Sequence, residues 1–296
     1  DTTARMLARA PGDGQRIFDH AQSVYWVGYI AWRRGQAQAA EVAFRKYLEL
    51  AQQLVSIDPN NADWEAEVAF ARSNLGTVLL GTSRSADALK EYAAAGERLS
   101  RLSAKRPEQV FDLAHNFGWI AKAHEALGDY KAAIEAQRNK TEFFLRMPDA
   151  ERNQQVQRGL QNGAFELASL ELTTGNPKAA EAYAREAMQR AESLVATDPN
   201  NRFWRTQLSS SQWMLGEVAS ALGNRDEARQ RAQEALDGTD KLIAIDASIA
   251  KLRVNQKGRA LELAARLAPS EQRDGLAADI ESYLSNIRDY IAEGKT

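Results

Sequence analysis

The chain contains no cysteine. That excludes a disulfide scaffold, a thiolate zinc site and a cysteine nucleophile. It suits a reducing compartment, so a cytoplasmic location is the expectation. Histidine is scarce: His20, His115 and His124 are all there is. His115 and His124 are nine apart, on opposite sides of one helix, and no pair has the i, i+4 spacing of a zinc-binding helix. His20 beside Asp19 is adjacency, because neighbours on a helix point apart. The 38 basic and 40 acidic side chains are intermixed and leave a net charge of −2. No basic stripe exists to displace counterions, so no nucleic acid is expected as a partner. No apolar run reaches bilayer-spanning length and no signal-peptide pattern opens the chain, so no membrane insertion is expected. Gly12-Asp13-Gly14 lacks the Lys-Ser/Thr of a phosphate loop and the strand that precedes a dinucleotide site. Carboxylates lie mostly on amphipathic faces, where solvated charge explains them. No catalytic constellation, metal site or cofactor is expected, and the chain reads as no enzyme.

Proline is also sparse, yet it is placed at intervals. Pro11, Pro59 and Pro107 stand 48 apart, and Ala247 stands 48 beyond Pro199. Local text recurs with it: Leu54-Val55-Ser56-Ile57-Asp58-Pro59 and Leu194-Val195-Ala196-Thr197-Asp198-Pro199. A fixed period of this size marks a solenoid, in which each supersecondary unit buries its apolar face on the next.

Each unit reads as two helices. Asn60-Asn61 and Asn200-Asn201 follow the prolyl turn and fit N-terminal caps. Gly35, Ser83, Gly128, Gly175 and Gly223 mark the break between helices, where a left-handed residue ends the first one. Pro177 suits the first turn of a following helix, and Ser270 after Pro269 suits a cap. Seven residues before each break stands a small residue: Gly28, Gly76, Ala121, Ala168 and Gly216. Five after it stands an alanine: Ala40, Ala88, Ala133, Ala180 and Ala228. Small residues at matched heights let antiparallel helices approach closely. Glu41–Arg45, Glu181–Arg185, Glu186–Arg190 and Glu227–Arg231 have ion-pair spacing on the second helices, which marks that face as solvated. By the spacing, the first helix of the third unit is three residues short and that of the fourth three long. A last stripe, Ile280, Tyr283, Leu284, Ile287, Tyr290 and Ile291, fits a terminal capping helix.

This order of small residue, glycine break, alanine and Asp-Pro-Asn-Asn resembles the tetratricopeptide repeat. Gln36-Ala37-Gln38-Ala39-Ala40, Asp129-Tyr130-Lys131-Ala132-Ala133 and Asn224-Arg225-Asp226-Glu227-Ala228 are close to that family's between-helix text. The family's usual unit is about 34 residues, so the 48-residue spacing is similar to a long-helix subclass found in large bacterial signalling and NTPase proteins. The resemblance implies an all-α fold: an α-solenoid of about six helical hairpins in a right-handed superhelix. Residues 1–12 would end a preceding repeat or linker. Residues 13–293 would form one array with units 13–59, 60–107, 108–148, 149–199, 200–247 and a degenerate cap, 248–293. The chain would then begin inside an earlier repeat and end near a natural C-terminus.

In such arrays the first helices line a concave groove. Aligned on the small residue, this groove presents Gln22, Tyr25, Tyr29, Trp32 and Arg33, then Phe70, Ser73 and Thr77. His115, Lys122 and Glu125 follow, then Asn162, Phe165 and Ser169, and last Trp213 and Glu217. Tyr25, Tyr29 and Trp32 share one helix face, and aromatics with polar tips are common anchors of binding surfaces. Trp26, Trp64, Trp119 and Trp204 read as packing between units. The family's carboxylate clamp does not fit, because the matched positions are Tyr25, Ser73, Gly118, Phe165 and Trp213. The expected function is non-enzymatic recognition of a protein or peptide ligand, as the C-terminal recognition or scaffold part of a larger bacterial protein. The alternatives are a small-ligand or peptide sensor domain regulating a fused effector, and a self-association module.

Overall fold

The computed structural model describes residues 2–245 and 256–269, and besides them residues 275, 277, 278, 280, 281 and 283–285. Among the described residues there is no strand. The chain divides into two compact bodies, Asp1–Pro148 and Asp149–Thr296. The first holds α1 (Thr2–Arg9), α2 (Gly14–Arg33), α3 (Ala37–Ile57), α4 (Ala62–Gly81), α5 (Ser85–Ser103), α6 (Val110–Ala126) and α7 (Tyr130–Leu145), with a 3₁₀ turn at Pro107–Gln109. The second holds α8 (Gln154–Thr173), α9 (Pro177–Thr197), α10 (Arg202–Ala221), α11 (Arg225–Ile245) and α12 (Gly258–Leu267). Within each body, consecutive helices pack as antiparallel hairpins and each hairpin packs on the next.

The hairpin turns follow from backbone sterics. Gly35, Gly128, Gly175 and Gly223 have φ of 72° to 82°, and Ser83 has φ of 62°. In each turn the N–H three residues past the helix reaches back five residues, as Gln36 does to Ala31 (2.9 Å) and Asn224 to Ala219 (2.8 Å). This closure satisfies carbonyls that the helix end would otherwise orphan. At the other end the caps are the second asparagines. Asn61 Oδ1 accepts from the N–H of Asp63 and Trp64, and Asn201 Oδ1 accepts from the N–H of Trp204. Asn60 and Asn200 instead donate their backbone N–H to Asp58 and Asp198. Pro177 opens α9, where a helix needs no N–H.

The small-residue columns form the hairpin interiors. Ala40, Ala88, Ala133, Ala180 and Ala228 are fully buried. A Cβ on Gly28 would fall 2.7 Å from Phe44 Cε1, and one on Gly76 2.7 Å from Tyr92 Cε1. Each glycine therefore makes room for a ring on the facing helix.

Several sequence expectations change in detail. Glu41–Arg45, Glu181–Arg185 and Glu186–Arg190 pair at 2.7, 2.8 and 2.8 Å. Glu227 pairs with Arg185 of the neighbouring hairpin instead (2.9 Å), and Arg231 turns to Glu234 (2.7 Å). The bidentate reach of Arg185 between hairpins displaces the in-helix partner. Helix α6 has 17 residues against 20 in α4, as expected, but α8 also has 20, so the extra residues of the fourth unit precede the helix. Of the terminal stripe, Ile280 and Tyr283 pack beside Ala235, Leu236, Ala260 and Leu261. Ser270, Ile287, Tyr290 and Ile291 lie outside the described residues.

Candidate recognition surface

In the first body, α2 carries the aromatic cluster. Tyr25 stacks on Tyr29 at 6.2 Å and meets Trp26 edge-on at 5.2 Å, and Trp26 meets Tyr29 at 5.7 Å. Tyr25 also leans on Phe44 and Tyr47 of α3, and its burial raises the phenol pKa. Tyr29 and Trp26 are 37% and 55% exposed, and Arg33, one turn beyond Tyr29, is exposed as well. Trp32 behaves differently. It packs over Gly81 of α4, which leaves no room for a side chain there. Trp32 is therefore half-buried between hairpins, whereas Tyr29 is exposed.

Below the aromatics lies a polar seam between α2, α3 and α4. Glu67 accepts a hydrogen bond from Gln22 Nε2 (2.7 Å) and another from the Tyr47 hydroxyl. Burial raises the Glu67 carboxyl above its ordinary range, and these two donors offset only part of that. Burial beside the Glu67 charge also pushes the Tyr47 phenol well up. Gln22 is thus a seam residue as well as a wall residue. Thr77 accepts from the Tyr92 hydroxyl at 3.3 Å and donates to the Ser73 carbonyl at 3.0 Å. Phe70 packs against the cluster of Ala69, Ala95, Leu99 and Leu113. On α6, the His115 ring meets Phe111 and Phe144 edge-on at 4.5 and 5.5 Å. Lys122 is exposed, with its ammonium 5.3 Å from the Trp119 ring, and Glu125 is exposed.

In the second body, Asn162, Phe165 and Ser169 lie half-buried on α8, and Phe165 approaches Trp213 of α10 at 6.4 Å. Arg259 covers the Trp213 ring at 5.0 Å, and Gln256 bonds to Ser210 beside it. The Trp213 indole N–H is buried without a partner, as is Gln256 Oε1, and both residues line a cavity of about 20 Å³. That is room for a single water, and Trp213 itself is half-buried. Glu217 is held by Arg266 of α12.

Of the expected groove residues in the first body, Tyr29, Arg33, His115, Lys122 and Glu125 are exposed and Tyr25 is half-buried, and sequence reasoning missed the exposure of Trp26. Its position matches Trp119, which stacks on Tyr92 of the preceding α5 at 5.9 Å. Helix α1 reaches only the first part of α2, with Thr3 Oγ1 3.1 Å from His20 Nδ1. Trp26, Val27 and Ile30 lie beyond it and are exposed. Among the described residues no group of histidines and carboxylates could hold a metal ion, and no helix is long and apolar enough to cross a membrane.

Antiparallel hairpins stacked through small-residue columns define an all-α helical-repeat protein. Residues 21–54 match the tetratricopeptide repeat family, so the hairpin of α2 and α3 is a tetratricopeptide repeat, and the other hairpins share its fold. No curated protein matches the sequence. Among solved structures, the apo form of RapI superposes with a TM-score of 0.68 at 12% identity, covering 98% of this chain and 70% of that one. BtubC from P. vanneervenii superposes at 0.63 with 17% identity, covering 82% and 86%. Aspartyl phosphate phosphatase F from Bacillus subtilis gives 0.59 with 12% identity, covering 92% and 76%. At these identities the likeness concerns the fold.

Proposed function

We propose that the chain is a non-enzymatic module that binds a protein or peptide, the recognition or scaffold part of a larger cytoplasmic bacterial protein. One observation carries this reading: a rigid aromatic cluster, Tyr25, Trp26 and Tyr29, stands partly exposed beside Arg33 on the wall of the first body. Aromatic rings with polar tips give large contact area at little entropic cost, and a neighbouring guanidinium adds a directional contact. The helical scaffold behind them is preformed, so little ordering is needed on binding.

The test is selection from a random peptide library. Tyr29→Ala should weaken the selected peptides at least tenfold, roughly the loss of one anchor, with melting unchanged. Trp32→Ala should instead lower the melting temperature, because Trp32 fills the gap over Gly81. Peptides that bind Tyr29→Ala as tightly as the parent would overturn the assignment.

A second reading, self-association, has its own observation. Val27 and Ile30 are 61% and 47% exposed, while their counterparts Leu75, Val78, Leu215 and Val218 are buried under a neighbouring helix. The α2 face is thus shaped to receive a further helix, and the occupant on this reading is a second copy of the chain. Light scattering at two concentrations decides it, since a constant monomer mass would rule it out.

A further inference from the structure

At one level the hairpins differ in what they place between their two helices. Eleven residues before the small residue and ten after the alanine, each hairpin has one position on either helix. They are Ile17 and Leu50, both buried, in the first hairpin. In the second, Glu65 and Arg98 form an ion pair. In the fourth, Arg190 donates to Gln157 at 2.9 Å. The third has Val110 and half-buried Phe143, the latter stacked on Phe117 at 5.4 Å. In the hairpin of α10 and α11 the pair is Arg205 and Gly238. Gly238 has no side chain to offer, and the Ser209 hydroxyl stands where a Cβ would go. A cleft of about 270 Å³ opens there, against the end of α9.

The lining is specific. Val195 and Leu208 supply apolar surface, Gln212 an amide, and Arg205 and Lys241 two cations. Among the described residues neither cation has a hydrogen-bond or ion-pair partner for its side chain. The two carboxylates at the cleft are already engaged. Glu234 accepts from Arg231 and Gln230, and Asp237 accepts from Gln233. A half-buried guanidinium with its fork unused has the geometry to take a carboxylate in two parallel hydrogen bonds.

We propose that this cleft is a carboxylate-binding site. Arg205 holds the carboxylate, Lys241 adds a second charge, and Val195 and Leu208 receive the aliphatic carbons behind it. The volume fits a small aliphatic acid or the last residue of a peptide, whose free C-terminus carries the same group. The proposal rests on the sensor alternative for this chain and is independent of the aromatic surface of the first body, so either can fail alone.

The test is calorimetric titration of the full chain with three probes: succinate, a tetrapeptide of Ala-Ala-Val-Leu with a free C-terminus, and the same peptide amidated. Binding of the free peptide but not the amidated one assigns the site to chain ends. Binding of succinate as well assigns it to small acids. In either case Arg205→Gln should weaken binding at least tenfold, and raising the salt should weaken it further. A second variant, Arg205→Glu with Ser209→Ala and Gly238→Arg, rebuilds the Glu65, Ala69 and Arg98 arrangement and should close the cleft. Tyr29→Ala should leave the affinity unchanged. No binding by any of the three probes, or binding that Arg205→Gln leaves intact, overturns the proposal.

Discussion

The first two hairpins of the first body and the first hairpin of the second solve one packing problem in two ways. In the first, glycines at the small-residue column receive rings: Phe44 sits over Gly28 and Tyr92 over Gly76. In the second, Ala168 clusters with Ala180 and Ala184, and Ala187 and Ala191 are fully buried further along α9. The column fixes where two helices meet. The volume between them is then shared out, with all of it on one helix in the α2–α3 and α4–α5 hairpins of the first body and half on each in the α8–α9 hairpin of the second. Close packing constrains the sum and leaves the split free.

The largest effect that would sharpen this contrast is Phe44→Ala. Phe44 is 2% exposed, and truncating such a ring costs about 3–5 kcal/mol. Gly28→Leu in that background should recover part of the loss, while alone it should cost about 1–3 kcal/mol by overpacking. No comparable truncation exists at Ala184, where Ala184→Gly should cost only about 1 kcal/mol. Urea denaturation measures all four. Additive behaviour of Gly28 and Phe44 would break the comparison, since residues sharing one volume must couple.

A smaller contrast lies in the turns. The second body uses Gly175 and Gly223 at φ of 78° and 82°, whereas the first, besides Gly35 and Gly128, places Ser83 at φ of 62°. A Cβ in the left-handed region costs on the order of 1 kcal/mol. Ser83→Gly should therefore stabilise the first body by about 1 kcal/mol less the added unfolded-state entropy, and Gly175→Ser should destabilise the second. Thermal melting of the two variants should move in opposite directions.

These turns, like the caps at Asn61 and Asn201, were legible in the sequence because each depends on a single residue's local chemistry. The alanine column was legible because it repeats. The contacts that escaped were those between hairpins. Nothing within α2 distinguishes Trp32, which packs over Gly81, from Tyr29, which does not. Nothing in α11 shows that Glu227 prefers Arg185, in the next hairpin, to Arg231 at its own i+4. Helical periodicity reports which side of a helix is buried and leaves open which neighbour buries it.

The smallest effect compares the seams between successive first helices. In the second body, Gln161 donates to Ser211 at 3.0 Å, a neutral bond with nothing to titrate. In the first, Glu67 sits between Gln22 and Tyr47 with its pKa raised above 4.5 by burial. A raised carboxyl pKa means that the folded state holds the proton longer than the unfolded one. Stability therefore falls as pH climbs from about 4.5 through the folded value. Glu41 has the opposite sign: hydrogen-bonded to Arg84, it is held at about 2, so its contribution is present above 4.5 and is lost as pH falls toward 2. Glu67→Gln keeps an acceptor oxygen for Tyr47 and removes the charge. It should match the parent near pH 4 and gain on it as pH rises from about 4.5 through the folded value, while Glu41→Gln should lose ground only as pH rises from about 2 to 4.5. Parallel denaturation midpoints for Glu67→Gln and the parent from pH 4 to 8 would show that the first body's seam, like the second's, carries no titrating charge.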